Sequence, residues 1–206
     1  LKVLIGCEFS QIVTKAFRDR GHEAYSCDLD PTDGNPEWHI QGDLLKIMND
    51  GSWDLGIFFP PCTYLTVTGN KWLKDQPKRK SGALVGAERR KAQKKAVDFF
   101  MKLANAKIPR ICIENPVGVM STRWRKPDQI ICPTQFGHSE PKKTCLWLKG
   151  LPVLIPTKKV EPDYYFTKSG KRLAKWYYLL PKTPERQKIR NTTFQGIADA
   201  FADQWR

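Results

Sequence analysis

At 206 residues the chain holds one domain, or one domain with a small appendage, and its 40% hydrophobic and 11% aromatic content is that of an ordinary folded globule. A mean hydropathy of -0.52 together with 27% charged residues excludes a chain built of membrane spans and argues equally against disorder throughout. The formal net charge of +14 points to a phosphate-bearing partner, and it is unevenly laid out: residues 1–70 carry five Lys/Arg against ten Asp/Glu, net -5, and residues 71–206 carry thirty against eleven, net +19.

In chain order, Leu1 to Ile5 is a short aliphatic run ending at Gly6, and Ser10 to Arg20 has the helical spacing of Ile12, Val13, Ala16 and Phe17, with Ser10 as N-cap and Gly21 as stop. Glu23 to Asp28 reads as a second strand and Asp30 to Glu37 as a loop. Trp53 to Phe59 is a buried strand that ends at Pro60-Pro61-Cys62. A basic stretch follows, Lys71 to Lys95, with ten Lys/Arg and two acids, and it overlaps an amphipathic helix over Glu88 to Ala106. Ile108 to Glu114 is a fourth strand, stopped by Asn115-Pro116; Gln135 to Lys149 and Leu151 to Ile155 read as further strands, and Thr193 to Trp205 as a closing helix. Strands alternating with helices predict an α/β protein with a Rossmann-like, mostly parallel sheet and helices on both faces, in one domain spanning 1–206. No leader is visible, so a cytoplasmic protein is expected. The six cysteines form no C-x-x-C pair, so neither metal nor disulfide is expected.

In an open parallel sheet, ligands bind outside the carboxyl ends of the strands. The turn Cys7-Glu8-Phe9-Ser10 after strand one could receive a nucleotide-like cofactor, Asp28 after strand two a ribose diol, and Gly42-Asp43-Leu44 an adenine. A helix cap or turn explains Asp28 equally well, and the other two are weak signals on their own, the first because short polar turns are common. Cys62, following two prolines at a strand end, sits on a stiff turn that aims it as a nucleophile needs. Glu114 ends the apolar strand I-C-I-E, and a carboxylate there, once desolvated, would have a raised pKa and could share a proton with a substrate nitrogen.

These residues, in this order, resemble the S-adenosylmethionine-dependent cytosine C5 methyltransferases. The matching motifs are Val3 to Ser10, Cys27 to Asp30, Gly42-Asp43-Leu44, Phe59-Pro60-Pro61-Cys62, Ile113-Glu114-Asn115-Pro116, Phe136-Gly137 to Leu148, and Arg190 to Gly196. The resemblance implies a class I methyltransferase fold in which Cys62 attacks C6 of cytosine while Glu114 engages N3 and the exocyclic amine. It implies that S-adenosylmethionine is held by Cys7, Glu8, Phe9, Ser10, Asp28, Leu29, Asp43, Leu44, Pro60 and Asn191. Pro61, Asn115, Pro116, Lys142, Lys143 and Thr144 would contact the substrate.

The chain departs from the family at three points. Glu8, Phe9 and Ser10 stand where the cofactor loop usually has glycines. Glu140, Lys142 and Thr144 stand where the family has Gln-x-Arg-x-Arg, so the second arginine's work falls to Lys143 or to an arginine of the basic stretches. In place of a large target-recognition domain there is only a short basic insert, residues 151–188. Thr157 to Arg190 holds ten basic and three acidic residues, together with Tyr164, Tyr165, Phe166, Trp176, Tyr177 and Tyr178. Two substrates follow: DNA bound with little sequence selectivity, or a free cytidine or deoxycytidine mononucleotide that needs no reader. A catalytically silent nucleic-acid-binding module is the third reading. A zinc deaminase is disfavoured, because Cys62 is followed by Thr63, Tyr64 and Leu65 rather than x-x-Cys.

Overall fold

The computed structural model describes residues 1–206 except 51, 182 and 184. Val3, Leu4 and Ile5 are wholly buried, and such a run with no polar alternation is what a strand covered on both faces requires. It forms β1 (Lys2–Gly6), followed by α1 (Ile12–Arg18), β2 (Glu23–Asp28), β3 (His39–Gln41), α2 (Leu44–Ile47) and β4 (Leu55–Phe58). The long helix α3 (Gly86–Ala104) leads to β5 (Arg110–Pro116), α4 (Met120–Arg123), β6 (Gln129–Ile131) and β7 (Thr144–Lys149). Then come β8 (Tyr164–Phe166), β9 (Arg172–Ala174), α5 (Lys175–Leu179), α6 (Glu185–Asn191) and α7 (Gln195–Gln204).

Seven strands form one sheet in the order β3-β2-β1-β4-β5-β7-β6. The first five pair in parallel, and β7 runs antiparallel to both β5 and β6. Val3 and Ile5 point to one face, where Val13, Ala16 and Phe17 of α1 and Ile197, Ala198 and Phe201 of α7 cover them. Leu4, Phe58, Ile111 and Ile113 point to the other, beneath Phe100 and Leu103 of α3. Alternating strand side chains thus bury both faces, and the strand order reverses direction between β1 and β4, where such sheets open a crevice.

Several boundaries differ from the sequence reading for identifiable reasons. Ser10 does not cap α1; Gln11 precedes the helix in a left-handed conformation without a side-chain cap bond, and Glu8 serves its N-terminus instead. The three-residue strands β3 and β6 are too short to show a period. Of Gln135 to Lys149 only the end is strand, and Pro133–Gln135 turns as a single 3-10 helix. Leu151 to Ile155 joins no sheet: the Leu154 N–H donates to Gln129 (2.8 Å), the Ile155 N–H to Gln204 (2.7 Å), and the Pro152 carbonyl accepts from Trp205 (2.9 Å). Asn115-Pro116 does not stop β5, whose pairing with β7 runs on to Pro116 opposite Thr144.

Candidate active site

The turn after β4 is held from three directions. Inside it, the Cys62 carbonyl accepts from the N–H groups of Leu65 (2.9 Å) and Thr66 (3.1 Å). From β5, the Asn115 amide donates to the Pro60 carbonyl at 2.7 Å in a buried position. From α3, the Arg89 guanidinium donates to the Thr63 carbonyl (3.0 Å) and the Gln93 amide to the Tyr64 carbonyl (3.0 Å). Arg89 is only 6% exposed, so its cation is committed to this turn. Sequence reasoning passed over Arg89 and Gln93. The signal was there: both are polar residues standing one turn apart on the stripe that Phe100 and Leu103 continue into the core.

Glu114 lies on β5 beside this turn and accepts a hydrogen bond from the buried hydroxyl of Thr144 on β7. Burial raises the Glu114 pKa, with Lys142 and the Thr144 hydroxyl opposing. Burial also raises the Cys62 thiol, the Glu114 carboxylate adds to the rise, and Lys142 and Arg190 pull it down. Glu114, Lys142 and Arg190 thus all act on Cys62, and Lys142 and Thr144 act on Glu114. The Lys142 ammonium donates to the Arg190 carbonyl at 2.7 Å, which ties α6 to the segment entering β7. In the sequence Arg190 opens the motif before α7 and closes the basic stretch whose arginines could replace the family's second arginine; its approach to Cys62 is a product of the fold. Lys143 is exposed, as is Pro61, and Pro116 is half-buried at the end of β5.

At the neighbouring edge, the turn after β1 contains the two non-glycine residues with positive φ among those described, Cys7 (59°) and Gln11 (57°). The Cys7 N–H extends the sheet to the Cys27 carbonyl (2.7 Å), and burial raises the Cys7 thiol far above its ordinary value. Glu8 is 4% exposed, and its carboxylate accepts from the Val13 N–H (2.7 Å), the Thr14 N–H (3.2 Å) and the Thr14 hydroxyl (2.7 Å). It closes the start of α1, where unsatisfied N–H groups and the helix dipole favour a negative charge. Phe9 and Ser10 are half-buried, and the Phe9 carbonyl accepts from Asp33 (3.0 Å) and the Thr32 hydroxyl (2.8 Å). Lys188 of α6 stands 5.2 Å above the Phe9 ring and pairs with Asp33 at 2.6 Å.

Asp28 ends β2 half-buried, and one of its oxygens accepts the Asp30 N–H at 3.1 Å. Leu29 beside it is 73% exposed. Asp43 caps α2 through the Leu45 N–H (3.0 Å), and Leu44 is buried where a Cβ on Gly6 would collide with it. Asn191 is exposed at the end of α6. The topology thus brings Phe9, Ser10, Asp28, Leu29 and Asp43 to one edge and Cys62, Glu114 and Lys142 to the adjoining one. It directs Glu8 and Leu44 into the protein.

A seven-stranded sheet in this order, with its single antiparallel strand in the next-to-last place, is a Rossmann-like, mostly parallel α/β fold, and Cys62 and Glu114 lie at the carboxyl ends of β4 and β5. No family model and no curated protein matches the chain. Among solved structures it is similar to a crystal structure of a protein encoded within an E. coli prophage and provisionally described as a DNA modification methyltransferase, at 12% identity and a TM-score of 0.44. The match covers 78% of this chain and 52% of that one, so this chain spans about half the length of the structure it resembles. No helix among the described residues is long and apolar enough to cross a membrane, and they hold no group of three His, Cys, Asp or Glu arranged to bind a metal.

Proposed function

We propose that the protein methylates C5 of cytosine in DNA, with little sequence selectivity, using S-adenosylmethionine. The observation that carries this reading is the pairing of a nucleophile and a proton-sharing acid at the ends of adjacent parallel strands, Cys62 and Glu114, with Lys142 acting on both. Cytosine C5 is a poor nucleophile until C6 is saturated. The Cys62 thiolate adds to C6 as N3 takes a proton from Glu114, and the electron pair of the ring becomes available at C5. Thr144 holds the carboxyl toward the base, and Lys142 and Arg190 favour the thiolate. Once C5 carries its methyl, loss of the C5 proton to water expels the thiolate and restores the C5–C6 double bond, and the N3 proton returns to the Glu114 carboxylate.

The donors at the neighbouring edge fit the cofactor. Asp28 has most of its acceptor capacity left for a ribose diol after the one N–H it takes, and Asp43 likewise for an exocyclic amine. The two positive-φ residues of the turn after β1 are backbone strain of the kind that collects at ligand sites. S-adenosylmethionine, when bound there, would supply an electrophilic methyl group. Phe9, Ser10, Leu29, Pro60 and Asn191 belong to the same proposed surround; Glu8 and Leu44 support it from beneath.

DNA is favoured over a mononucleotide by the net +19 of residues 71–206, far more than one phosphate group requires. The small size of the 151–188 insert is what favours the mononucleotide. The test is transfer of labelled methyl from S-adenosylmethionine to duplex DNA, single-stranded DNA, and cytidine and deoxycytidine monophosphates in parallel. Label in a polymer is expected. Label in a monophosphate alone would replace the DNA substrate, and DNA binding without label in any arm would make the chain a binding module.

A further inference from the structure

The 151–188 insert contains a built surface that the methyl-transfer chemistry leaves unused. Strands β8 and β9 form a sheet of only two strands, with Tyr164 opposite Ala174, Tyr165 opposite Leu173 and Phe166 opposite Arg172. Alternation along β8 sends Tyr165 to one face, where it stacks on Tyr178 of α5 with ring centroids 4.7 Å apart and planes at 16°. Tyr164 and Phe166 take the other face together with Arg172, whose guanidinium lies 4.3 Å above the Tyr164 ring. Nothing among the described residues covers Phe166, which is 63% exposed, and Tyr178 is 50% exposed even in its stack. The turn between the strands carries Lys168 and Lys171, both exposed, while the acid nearest in sequence, Asp163, is paired with Lys175 at 2.8 Å.

We propose that this hairpin and α5 form a docking platform for single-stranded DNA beside the Cys62 site, a deepening that rests on the DNA reading above. Open aromatic faces flanked by cations that have no acidic partner among the described residues suit a polyanion whose bases are free to stack. A duplex keeps its base faces inside its own stack and offers such a platform only phosphates. The platform is joined to the site by packing: Trp176 of α5 lies edge-on against Phe194 at 6.1 Å, and the Lys142 ammonium lies 5.9 Å above that same ring. The Asp163 N–H also donates to Ser139 (2.9 Å), in the segment that leads to Lys142. A strand lying on Phe166 is thereby led toward Cys62.

The test is fluorescence-anisotropy binding of a labelled thymidine-only oligonucleotide and of a duplex of equal length, to wild type, Phe166→Ala and the Lys168→Gln/Lys171→Gln double variant. All three side chains are exposed, and unchanged thermal melting checks the fold. The single strand is expected to bind more tightly than the duplex. Phe166→Ala should weaken the strand about tenfold, through loss of one stacked base, and scarcely affect the duplex. The lysine variant should reduce the slope of log affinity against log salt by about 1.4, for two strand phosphates. Tighter binding of the duplex, or wild-type affinity in Phe166→Ala, would overturn the platform. Because the probe holds no cytosine, the outcomes separate: strand binding as described without methyl transfer to any substrate sinks the chemistry alone, and methyl transfer with an indifferent Phe166→Ala sinks the platform alone.

Discussion

In the proposed chemistry Cys62 and Glu114 act as a pair holding one proton, thiolate beside carboxylic acid. Burial raises Glu114 above its ordinary 4.5 and Cys62 above its ordinary 9.0, and Lys142 draws both back. The single-proton form of the pair accumulates between those two ionisations, and each apparent value belongs to the pair. The profile of kcat/KM against pH is therefore expected to be a bell, rising as the pair loses its first proton and falling as it loses its second. Glu114→Gln should lower the rate by about 10²–10⁴ and abolish the acid limb, leaving a rate that climbs with pH as the thiol ionises. A variant that keeps the full bell would remove Glu114 from the proton inventory. Cys62→Ala should abolish methyl transfer while S-adenosylmethionine binding, measured by calorimetry, stays within a few fold; a tenfold loss of cofactor affinity would instead assign Cys62 to the cofactor pocket.

At the scale of elements, α1 shows why a site residue can resemble a ligand contact and be a cap. Glu8 sits in the turn that the sequence reading offers to a cofactor, yet its carboxylate satisfies two N–H groups of α1 and the Thr14 hydroxyl. Burial pushes its pKa up to about 7 from an ordinary 4.5, with those three donors opposing. A raised carboxylate binds its proton more tightly in the folded state, so its contribution to stability is full below about 4.5 and is lost as pH rises through about 7. The loss is of order 3 kcal/mol at ~1.4 kcal/mol per pH unit. The melting temperature of wild type is expected to fall over that interval relative to Glu8→Gln, which carries no charge. A constant gap between the two across pH 4.5 to 8 would show that Glu8 ionises normally. The nucleophile turn is likewise an assembly of elements: α3 and β5 grip it through Arg89, Gln93 and Asn115. No local pattern around Cys62 announces those grips, because their partners lie 26 to 55 residues away.

Over the whole molecule the charge is divided between an acidic half, residues 1–70, which carries Asp28, Asp43 and Cys62, and a basic half, residues 71–206, which brings Lys142 and Arg190 to act on Cys62. DNA affinity should accordingly fall steeply with salt. Lys78→Gln/Arg79→Gln/Lys80→Gln is expected to lower the salt slope on single strands by up to about 2, with a uniform loss across sequences. A slope equal to that of wild type would mean that this run is solvated surface only. Arg79 lies 3.9 Å above the Trp72 ring, so the triple variant needs a melting control.

The amino-acid sequence by itself determined the α/β class, the strands β1, β2, β4 and β5, and the order in which Cys62, Glu114 and the acids arrive at strand ends. Strands buried on both faces must be continuous apolar runs, and polar residues become conspicuous where those runs stop. Only the tertiary structure decided the antiparallel insertion of β7, the turning of Glu8 toward α1, the burial of Leu44 beneath Gly6, and the return of α6 that sets Arg190 near Cys62 and Lys188 over Phe9. Those outcomes rest on contacts between segments far apart in the chain. A side chain's partner there is chosen by which elements the sheet order makes neighbours, and residue type and local spacing leave that choice open.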